Sequence, residues 1–298
     1  MNDRIRAASK HRATGIIGPT RLLLAIPIAY LLVMFFGHLP DHLILFPTTA
    51  PIDAGVAVRK TVPLGNGEIE VWTAQSGRTR ERGQADVFIL RFYGNADRAD
   101  RWAAAEAEMW SDRAVEIWGM NYPGFGGSTG PARLAQMGPA AVATFDQLSR
   151  HAAGRPVVPF GTSIGATVAL HIAASRPAQV TGLILQNPPP LREMILRQFG
   201  WWNLWLLAGP VAMQIPRDLD SITNARASRL AAIFLLADKD EIVAPRFHRL
   251  VANAYAGEKR IIELRGAYHN DPIERPALAE VNDALGWLLA NADPAHTP

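Results

Sequence analysis

Short apolar runs alternate with stretches of helical periodicity from about residue 52 to residue 291. This alternation is typical of a largely parallel sheet whose strands are joined by helices. Asn66-Gly67 separates two β-rich runs and favours a tight hairpin turn, so we expect the sheet to begin with an antiparallel pair. The predicted strands are 58–63, 68–73, 86–93, 114–121, 156–161, 180–186, 231–236 and 260–264; the predicted helices are 98–110, 132–152, 164–174, 245–256 and 276–291.

One segment interrupts this alternation. Residues 188–224 begin with three prolines and contain Trp201, Trp202 and Trp205 before the sheet pattern resumes. A plain connection is seldom this long, so the segment predicts a helical cap inserted over the edge of the sheet. We expect most of its aromatic side chains to pack against the body, whereas an exposed share would favour contact with acyl chains or a bilayer interface. The three tryptophans are therefore candidates for a substrate pocket.

An uncharged apolar run at 22–36, which can be extended to residue 39, precedes the alternating pattern. Eighteen helical residues cover about 27 Å, close to the hydrocarbon thickness of a bilayer. The run therefore predicts a transmembrane anchor at 22–39, between a basic arm at 1–21 and a body at 40–298. A cleaved signal peptide and a buried helix of the fold are the alternatives, although no suitable small-residue cleavage site follows the run.

The net charge of +3 is unevenly distributed along the chain. Residues 1–21 carry five basic side chains and one acidic side chain, which leaves the remaining residues slightly acidic. A nucleic-acid-binding domain needs a basic face on the fold itself, so no nucleic-acid partner is expected. By the positive-inside rule the arm is expected to stay in the cytoplasm, and the body is expected on the extracytoplasmic side of a bacterial inner membrane.

The composition removes several kinds of chemistry. The chain has no cysteine, which excludes disulfides, a thiol nucleophile and cysteine-ligated zinc. Hydrophobic residues make up 49% of the chain and charged residues 19%, which indicates a buried core rather than disorder. The glycines at 124, 126 and 127 are not followed by the Lys-Ser or Lys-Thr of a phosphate-binding loop, so no nucleotide site is expected. We predict neither a metal nor a cofactor.

The strongest chemical signal is Gly161-Thr162-Ser163-Ile164-Gly165, which lies between a predicted strand and a predicted helix. This G-x-S-x-G spacing is typical of a sharp turn that exposes a nucleophilic serine at a helix N-terminus. A glycine-rich turn with no chemical role is the alternative interpretation. The position of the motif favours the functional interpretation, because the motif follows a predicted strand directly and precedes a predicted helix directly.

A serine hydroxyl needs a base, and the base needs an orienting acid. Asp240 and His269 follow Ser163 in the order Ser, Asp, His, and each comes shortly after a predicted strand. Parallel strands end at one edge of the sheet, so the three side chains are expected to meet there. Asp238 and Glu241 are alternatives for the acid. His171 is expected to pack in the core, and His248 to lie on a solvated helix face.

A tetrahedral oxyanion requires backbone N–H donors, usually from the residue after the nucleophile and from the loop after the third strand. The first donor is expected from Ile164. The run at 86–93 ends in Tyr93-Gly94-Asn95, which makes the N–H of Asn95 the natural second donor.

Five motifs resemble, in their order, those of the α/β-hydrolase superfamily, and most closely those of its membrane-anchored abhydrolase-domain group related to the yeast bud-emergence protein. They are the segments 92–96, 121–128, 161–165, 238–245 and 266–271. The resemblance implies an α/β-hydrolase fold and a serine hydrolase that acts on ester, thioester or amide acyl groups, because dehalogenases and epoxide hydrolases of this fold need an aspartate at the position of Ser163. Asp240 is the acid that best matches the family pattern.

Two positions depart from the family pattern. Tyr93 replaces the histidine that usually precedes the glycine of the oxyanion loop, and Ala237 replaces a glycine before the acid. The Tyr93 hydroxyl could help to bind substrate, or the ring could simply pack. The expected function is hydrolysis of lipid or acyl esters by a membrane-anchored enzyme. The alternatives are a catalytically silent binding or signalling module, a serine peptidase and an acyltransferase.

Overall fold

A computed structural model describes residues 19–36, 38–110, 112–202 and 205–291. Helix α1 (Pro19–Phe36) belongs to one unit, and the body that begins at Pro40 is a second unit. The basic arm predicted at 1–21 lies almost entirely outside the described residues. The cellular location that was expected from its charge therefore stays a prediction.

The membrane anchor predicted at 22–39 stays a prediction. Helix α1 begins at Pro19 and ends at Phe36, so it covers most of that segment and stops before residue 39. Within the described part of the chain, none of the helices combines the length and the apolar character that a membrane crossing requires.

Eight strands form one sheet in the order β1-β2-β4-β3-β5-β6-β7-β8. β2 is antiparallel to β1 and to β4, and the other neighbouring pairs are parallel. All eight predicted strands and the antiparallel opening are confirmed. The strands are β1 (Val58–Leu64), β2 (Gly67–Gln75), β3 (Val87–Phe92), β4 (Val115–Met120), β5 (Val157–Thr162), β6 (Leu183–Gln186), β7 (Ala232–Ala237) and β8 (Lys259–Leu264).

Helices connect the strands, and the five predicted helices are present with small shifts at their ends. The helices of the body are α2 (Leu39–Ile44), α3 (Gly77–Arg82), α4 (Ala99–Met109), α5 (Leu134–Ala152), α6 (Ile164–Ser175), α7 (Leu191–Phe199), α8 (Ala208–Met213), α9 (Ser221–Ala227), α10 (Pro245–Ala254) and α11 (Arg275–Asn291). The segment 188–224, expected to be a helical cap, contains α7, α8, a 3₁₀ turn and the first part of α9.

The central strands are buried on both faces. α4 and α11 pack on the face that carries Ile89, Ile117 and Ile233. Phe88 and Leu90, whose side chains alternate with Ile89 along β3, are equally buried. Covering both faces explains why these strands read as nearly continuous apolar runs rather than as alternating ones.

Candidate active site

Ser163 lies at the sharp turn between β5 and α6. Its backbone angles are φ 53° and ψ −126°, which a residue with a side chain adopts only under strain. A methyl group on Gly161 would lie 2.2 Å from the carbonyl oxygen of Gly165, and one on Gly165 would lie 2.2 Å from that of Phe92. The glycines of the G-x-S-x-G motif are therefore a steric requirement of this turn.

Asp240 and His269 form a direct contact beyond the ends of β7 and β8. Nδ1 of His269 lies 2.5 Å from Oδ2 of Asp240, and both side chains are buried. The other carboxylate oxygen of Asp240 accepts hydrogen bonds from the backbone N–H groups of Ile242 and Val243. This pairing leaves Nε2 as the ring nitrogen of His269 that is not occupied by Asp240.

The neighbouring acidic residues have different partners. Asp238 accepts a hydrogen bond from the backbone N–H of Gly266, and Glu241 accepts one from the backbone N–H of His269. Both contacts hold the loop, whereas Asp240 is the acid that touches the imidazole. The contacts thus distinguish Asp240 from Asp238 and Glu241, the two alternative acids that the sequence left open.

His248 requires a correction. It was expected on a solvated helix face, but its side chain is 0% exposed and its Nε2 lies 3.0 Å from Oδ2 of Asp240. The ring is not aligned for a well-formed hydrogen bond. α10 is strongly amphipathic, and His248 falls on its buried side next to Phe247. That periodicity was the signal in the sequence that could have placed the histidine inward.

The electrostatics of Asp240 reflect these contacts. Burial acts to raise the pKa of its carboxyl group, because a buried carboxylate loses its hydration. The interactions with His248, with His269 and with the N–H of Val243 outweigh burial and hold the pKa well below its ordinary value. Asp240 is therefore an anion that can orient His269 and stabilise a positive charge on its ring.

The end of β6 connects the two loops that carry Ser163 and His269. The N–H of Ser163 donates to the carbonyl oxygen of Gln186 at 2.9 Å. The side-chain amide of Asn187 donates to the carbonyl oxygen of His269 and accepts from the N–H of Ala237. Asn187, which has a positive φ of 49° and is fully buried, was not predicted as a site residue. Within the described residues the Ser163 hydroxyl itself has no hydrogen-bond partner.

The two expected oxyanion donors belong to segments that adjoin Ser163. A methyl group on Gly94 would lie 3.6 Å from the Cβ of Ser163, so the loop of Asn95 is packed against the serine. The N–H of Asn95 makes no hydrogen bond to another described residue. Ile164 is the first residue of α6, and the N–H at this position has no partner inside the helix. Both N–H groups are available to a bound oxyanion.

The candidate pocket residues are placed differently from the expectations. Tyr93 is 2% exposed and its hydroxyl donates to Glu106, so the suggestion that this hydroxyl binds substrate is corrected in favour of a packed ring. Trp201, Trp202 and Trp205 are 73%, 58% and 50% exposed. The expectation that these rings mainly pack against the body is also corrected, because most of their surface faces solvent.

Asp240, His248 and His269 are also donors of the kind that bind metal ions, and their ligand atoms lie within 4.8 Å of one another. As placed, one oxygen of Asp240 contacts a nitrogen of each histidine directly, at 2.5 and 3.0 Å. These are hydrogen-bond distances. A metal ion bound by Nδ1 of His269 would replace the contact that orients its ring.

Comparisons with known proteins agree with this architecture. Residues 83–211 match the protein family described as "Serine aminopeptidase, S33". The fold is similar to that of Est1E from Butyrivibrio proteoclasticus, with a TM-score of 0.61 and 14% identity over 78% of this chain and 99% of that chain. It is also similar to the monoacylglycerol lipase of Paleococcus ferrophilus, with a TM-score of 0.54 and 19% identity over 74% of this chain and 98% of that chain.

An esterase of Pyrococcus furiosus aligns with a TM-score of 0.58 and 13% identity over 83% of this chain and 98% of that chain. No curated protein matches the sequence. The body therefore has an α/β-hydrolase fold, and at these levels of identity the structural likeness extends to the fold alone.

Proposed function

We propose that the protein is a serine hydrolase that cleaves carboxylic esters through an acyl-enzyme intermediate. Ser163 is the nucleophile, His269 the general base, and Asp240 the acid that orients the base. The proposal is supported by the strained Ser163 at the start of α6 and by the buried Asp240–His269 pair beyond β7 and β8. Gln186 and Asn187, at the end of β6, bond to the backbone of Ser163 and of His269 respectively. A turn without a chemical role has no need of the Asp240–His269 pair.

In the proposed mechanism, Oγ of Ser163 attacks the carbonyl carbon of the ester while Nε2 of His269 takes its proton. The N–H groups of Asn95 and Ile164 donate to the oxyanion that forms. His269 then gives the proton to the leaving alcohol, and the acyl group remains on Ser163. A water molecule, deprotonated by the same imidazole, attacks the acyl carbon and releases the acid together with the free serine.

An apolar acyl group is the substrate that the surroundings favour. The segment 199–213 exposes a group of large apolar side chains, which we name the cap patch. Exposed apolar surface of this kind is typical of places that contact lipid or other apolar partners. Similar structures include an esterase and a monoacylglycerol lipase, which supports esters as the first class to test. The cap patch consists of Phe199, Trp201, Trp202, Trp205, Leu206 and Met213.

A peptidase is the second candidate, because the matching family is described as a serine aminopeptidase. An amide is cleaved by the same steps, with the amine leaving in place of the alcohol. A hydrolase fold without activity, used as a binding or signalling module, is the third possibility. The three are separated by one set of substrates.

The experiment is a panel of short-chain and long-chain acyl esters, acyl thioesters and aminoacyl amides, measured with the wild type, Ser163→Ala and Ser175→Ala. Ser175 is the matched control, because it lies at the opposite end of α6 and its hydroxyl bonds to the backbone of Ile172. We expect ester turnover that Ser163→Ala reduces by several orders of magnitude and Ser175→Ala leaves within about twofold. Turnover of amides only would favour the peptidase. The absence of turnover on every substrate would favour the binding module.

A further inference from the structure

Arg91 is a buried charge on β3, and it lies beneath the loops of the candidate active site. Its Nε donates to both oxygens of Glu106 on α4 at 3.0 Å. Its Nη1 donates to the carbonyl oxygen of Phe92, and its Nη2 donates to Oγ1 of Thr162 at 2.8 Å. The guanidinium also lies over the ring of Phe160, 4.0 Å from its centre. Such an arginine is buried only because each part of its fork has a partner.

Tyr93 is the second residue that bonds to Glu106. Its hydroxyl donates to Oε2 of Glu106 at 3.0 Å, and the guanidinium of Arg91 lies 4.7 Å from the centre of its ring. Gly119 on β4 leaves room for the ring, because a methyl group there would lie 3.2 Å from the Tyr93 hydroxyl. The backbone carbonyl of Tyr93 accepts a hydrogen bond from Tyr122. Tyr93 is therefore held by its side chain and by its backbone.

Each end of this network lies two residues before one of the two expected oxyanion donors in the sequence. Tyr93 precedes Asn95 by two residues, and Thr162 precedes Ile164 by two residues. The hydroxyl of Thr162 also donates a hydrogen bond to the side-chain oxygen of Gln186. One buried ion pair thus connects the two segments that carry the N–H groups of Asn95 and Ile164.

We propose that Arg91, Glu106 and Tyr93 are positioning residues that set the distance between the N–H groups of Asn95 and Ile164. This inference rests on the proposed function and adds to it a determinant of transition-state stabilisation outside the catalytic triad. Donors that are fixed before the reaction stabilise an oxyanion most, because they need no reorganisation when the charge forms. An ion pair shared by both loops supplies that fixation.

The charges of the group agree with this role. Burial raises the pKa of Glu106, and Arg91 together with the Tyr93 hydroxyl offsets only part of that rise. Burial, followed by the nearby charge of Glu106, raises the pKa of Tyr93 well above its ordinary value. Tyr93 therefore stays a neutral donor across the working pH range, which keeps its bond to Glu106 intact.

The test uses two variants, one at each end of the network. Tyr93→Phe removes the hydrogen bond to Glu106, and Thr162→Val removes the hydrogen bonds with Arg91 and Gln186. In each we expect kcat to fall about 10-fold to 100-fold on the ester that the wild type turns over best, with KM within about twofold, because loss of a full oxyanion donor costs about 100-fold to 1,000-fold. The affinity for a phenylboronic acid, whose tetrahedral adduct on Ser163 carries an oxyanion-like oxygen, should fall by a similar factor. A role in folding alone predicts no selective loss of this inhibitor.

Tyr255→Phe is the matched control. Tyr255 is also a buried tyrosine, but its hydroxyl bonds to Ser228 and to the carbonyl oxygen of Leu230. Leu230 precedes β7, so this contact lies at the opposite end of the parallel strands from Tyr93. This variant should lower the melting temperature without changing kcat or inhibitor affinity. If Tyr93→Phe and Thr162→Val are folded and retain both properties within twofold, the inference is wrong. Glu106→Gln replaces either variant if it fails to fold, because the amide keeps the shape of the carboxylate.

Hydrogen exchange separates failure of this inference from failure of the proposed function. Thr162→Val should speed exchange in peptides that cover 93–97, and Tyr93→Phe should speed it in peptides that cover 162–166, by about tenfold each. This cross-effect needs no turnover. An inactive wild type that shows it would refute the ester hydrolase while retaining the network, whereas changes confined to each variant's own segment would refute the network.

Discussion

At the scale of single residues, the structure groups Asp240 with two buried histidines, His248 and His269. Asp240 contacts two imidazoles through one oxygen, and two backbone N–H groups bind its other oxygen. His269 is the member that can reach substrate in the proposed mechanism. His248 acts on substrate only through Asp240, so it is a positioning residue.

We expect His248→Leu to lower kcat/KM about tenfold, because it removes one of the two imidazoles that contact the buried carboxylate of Asp240. Steady-state kinetics on the preferred ester measure this effect. His171→Leu is the control: His171 is a partly buried histidine whose Nε2 lies 4.0 Å from Asp218. Equal losses in the two variants would show that His248 has no particular connection to the site.

The low pKa of Asp240 predicts a pH dependence of stability. A carboxyl group whose pKa is lower in the folded state stabilises the fold fully above its unfolded pKa of about 3.9, and this contribution is lost as the pH falls through the folded value. The melting temperature of Asp240→Asn should therefore decline less between pH 5 and pH 3 than that of the wild type. Asp283→Asn, an exposed substitution, should follow the wild type; a wild-type slope in Asp240→Asn would contradict the account.

At the scale of elements, the turn from β5 to α6 sets the position of the nucleophile. Gly165 is packed against the backbone of Phe92 and Tyr93, at the end of the neighbouring strand. The same contact brings the oxyanion loop next to Ser163. Activity and stability of this part of the fold should therefore be lost together.

We expect Gly165→Ala to lower the free energy of unfolding by about 3 kcal/mol, because the added methyl group meets backbone that cannot move aside. Gly209→Ala is the control, since a methyl group there meets no atom within 4 Å and alanine favours α8. Denaturant titration measures both variants. A Gly165→Ala protein as stable as Gly209→Ala would show that the turn is not tightly packed.

The exposed side chains of the cap patch predict a dependence on acyl chain length. The double variant Trp201→Ser, Trp202→Ser should lower kcat/KM about fivefold for long-chain esters, from the loss of apolar contact area, and leave short-chain esters unchanged. Trp102→Ser is the control, because Trp102 is also partly exposed but lies on α4 and bonds to Asp97. Equal effects on short and long chains would separate the cap patch from acyl binding.

At the scale of the whole molecule, periodicity and turn signals were sufficient for the sheet. Buried parallel strands differ clearly in composition from the helices between them, so each strand was found. The helix α3 was missed, although Ser76 accepts a hydrogen bond from Thr79 and Gly83 ends the helix with φ 70°. Six residues are too few for periodicity to stand out, and only the cap residues mark such a helix.

The candidate site was less accessible from the sequence. Ser163, Asp240 and His269 could be ranked because their order and their positions after strands are local signals. His248, Glu106 and Arg91 were not ranked, because they belong to no local motif and a buried charge resembles a surface charge in a sequence.

The most direct test of the account is mass spectrometry of the folded protein after treatment with a fluorophosphonate. We expect a mass gain of one adduct per chain, located on the peptide that contains Ser163, and no gain in Ser163→Ala. His269→Ala should label much more slowly, because the hydroxyl would lack its base. A folded wild-type protein that remains unmodified, or one that is modified on a different serine, would contradict the assignment of Ser163 as the nucleophile.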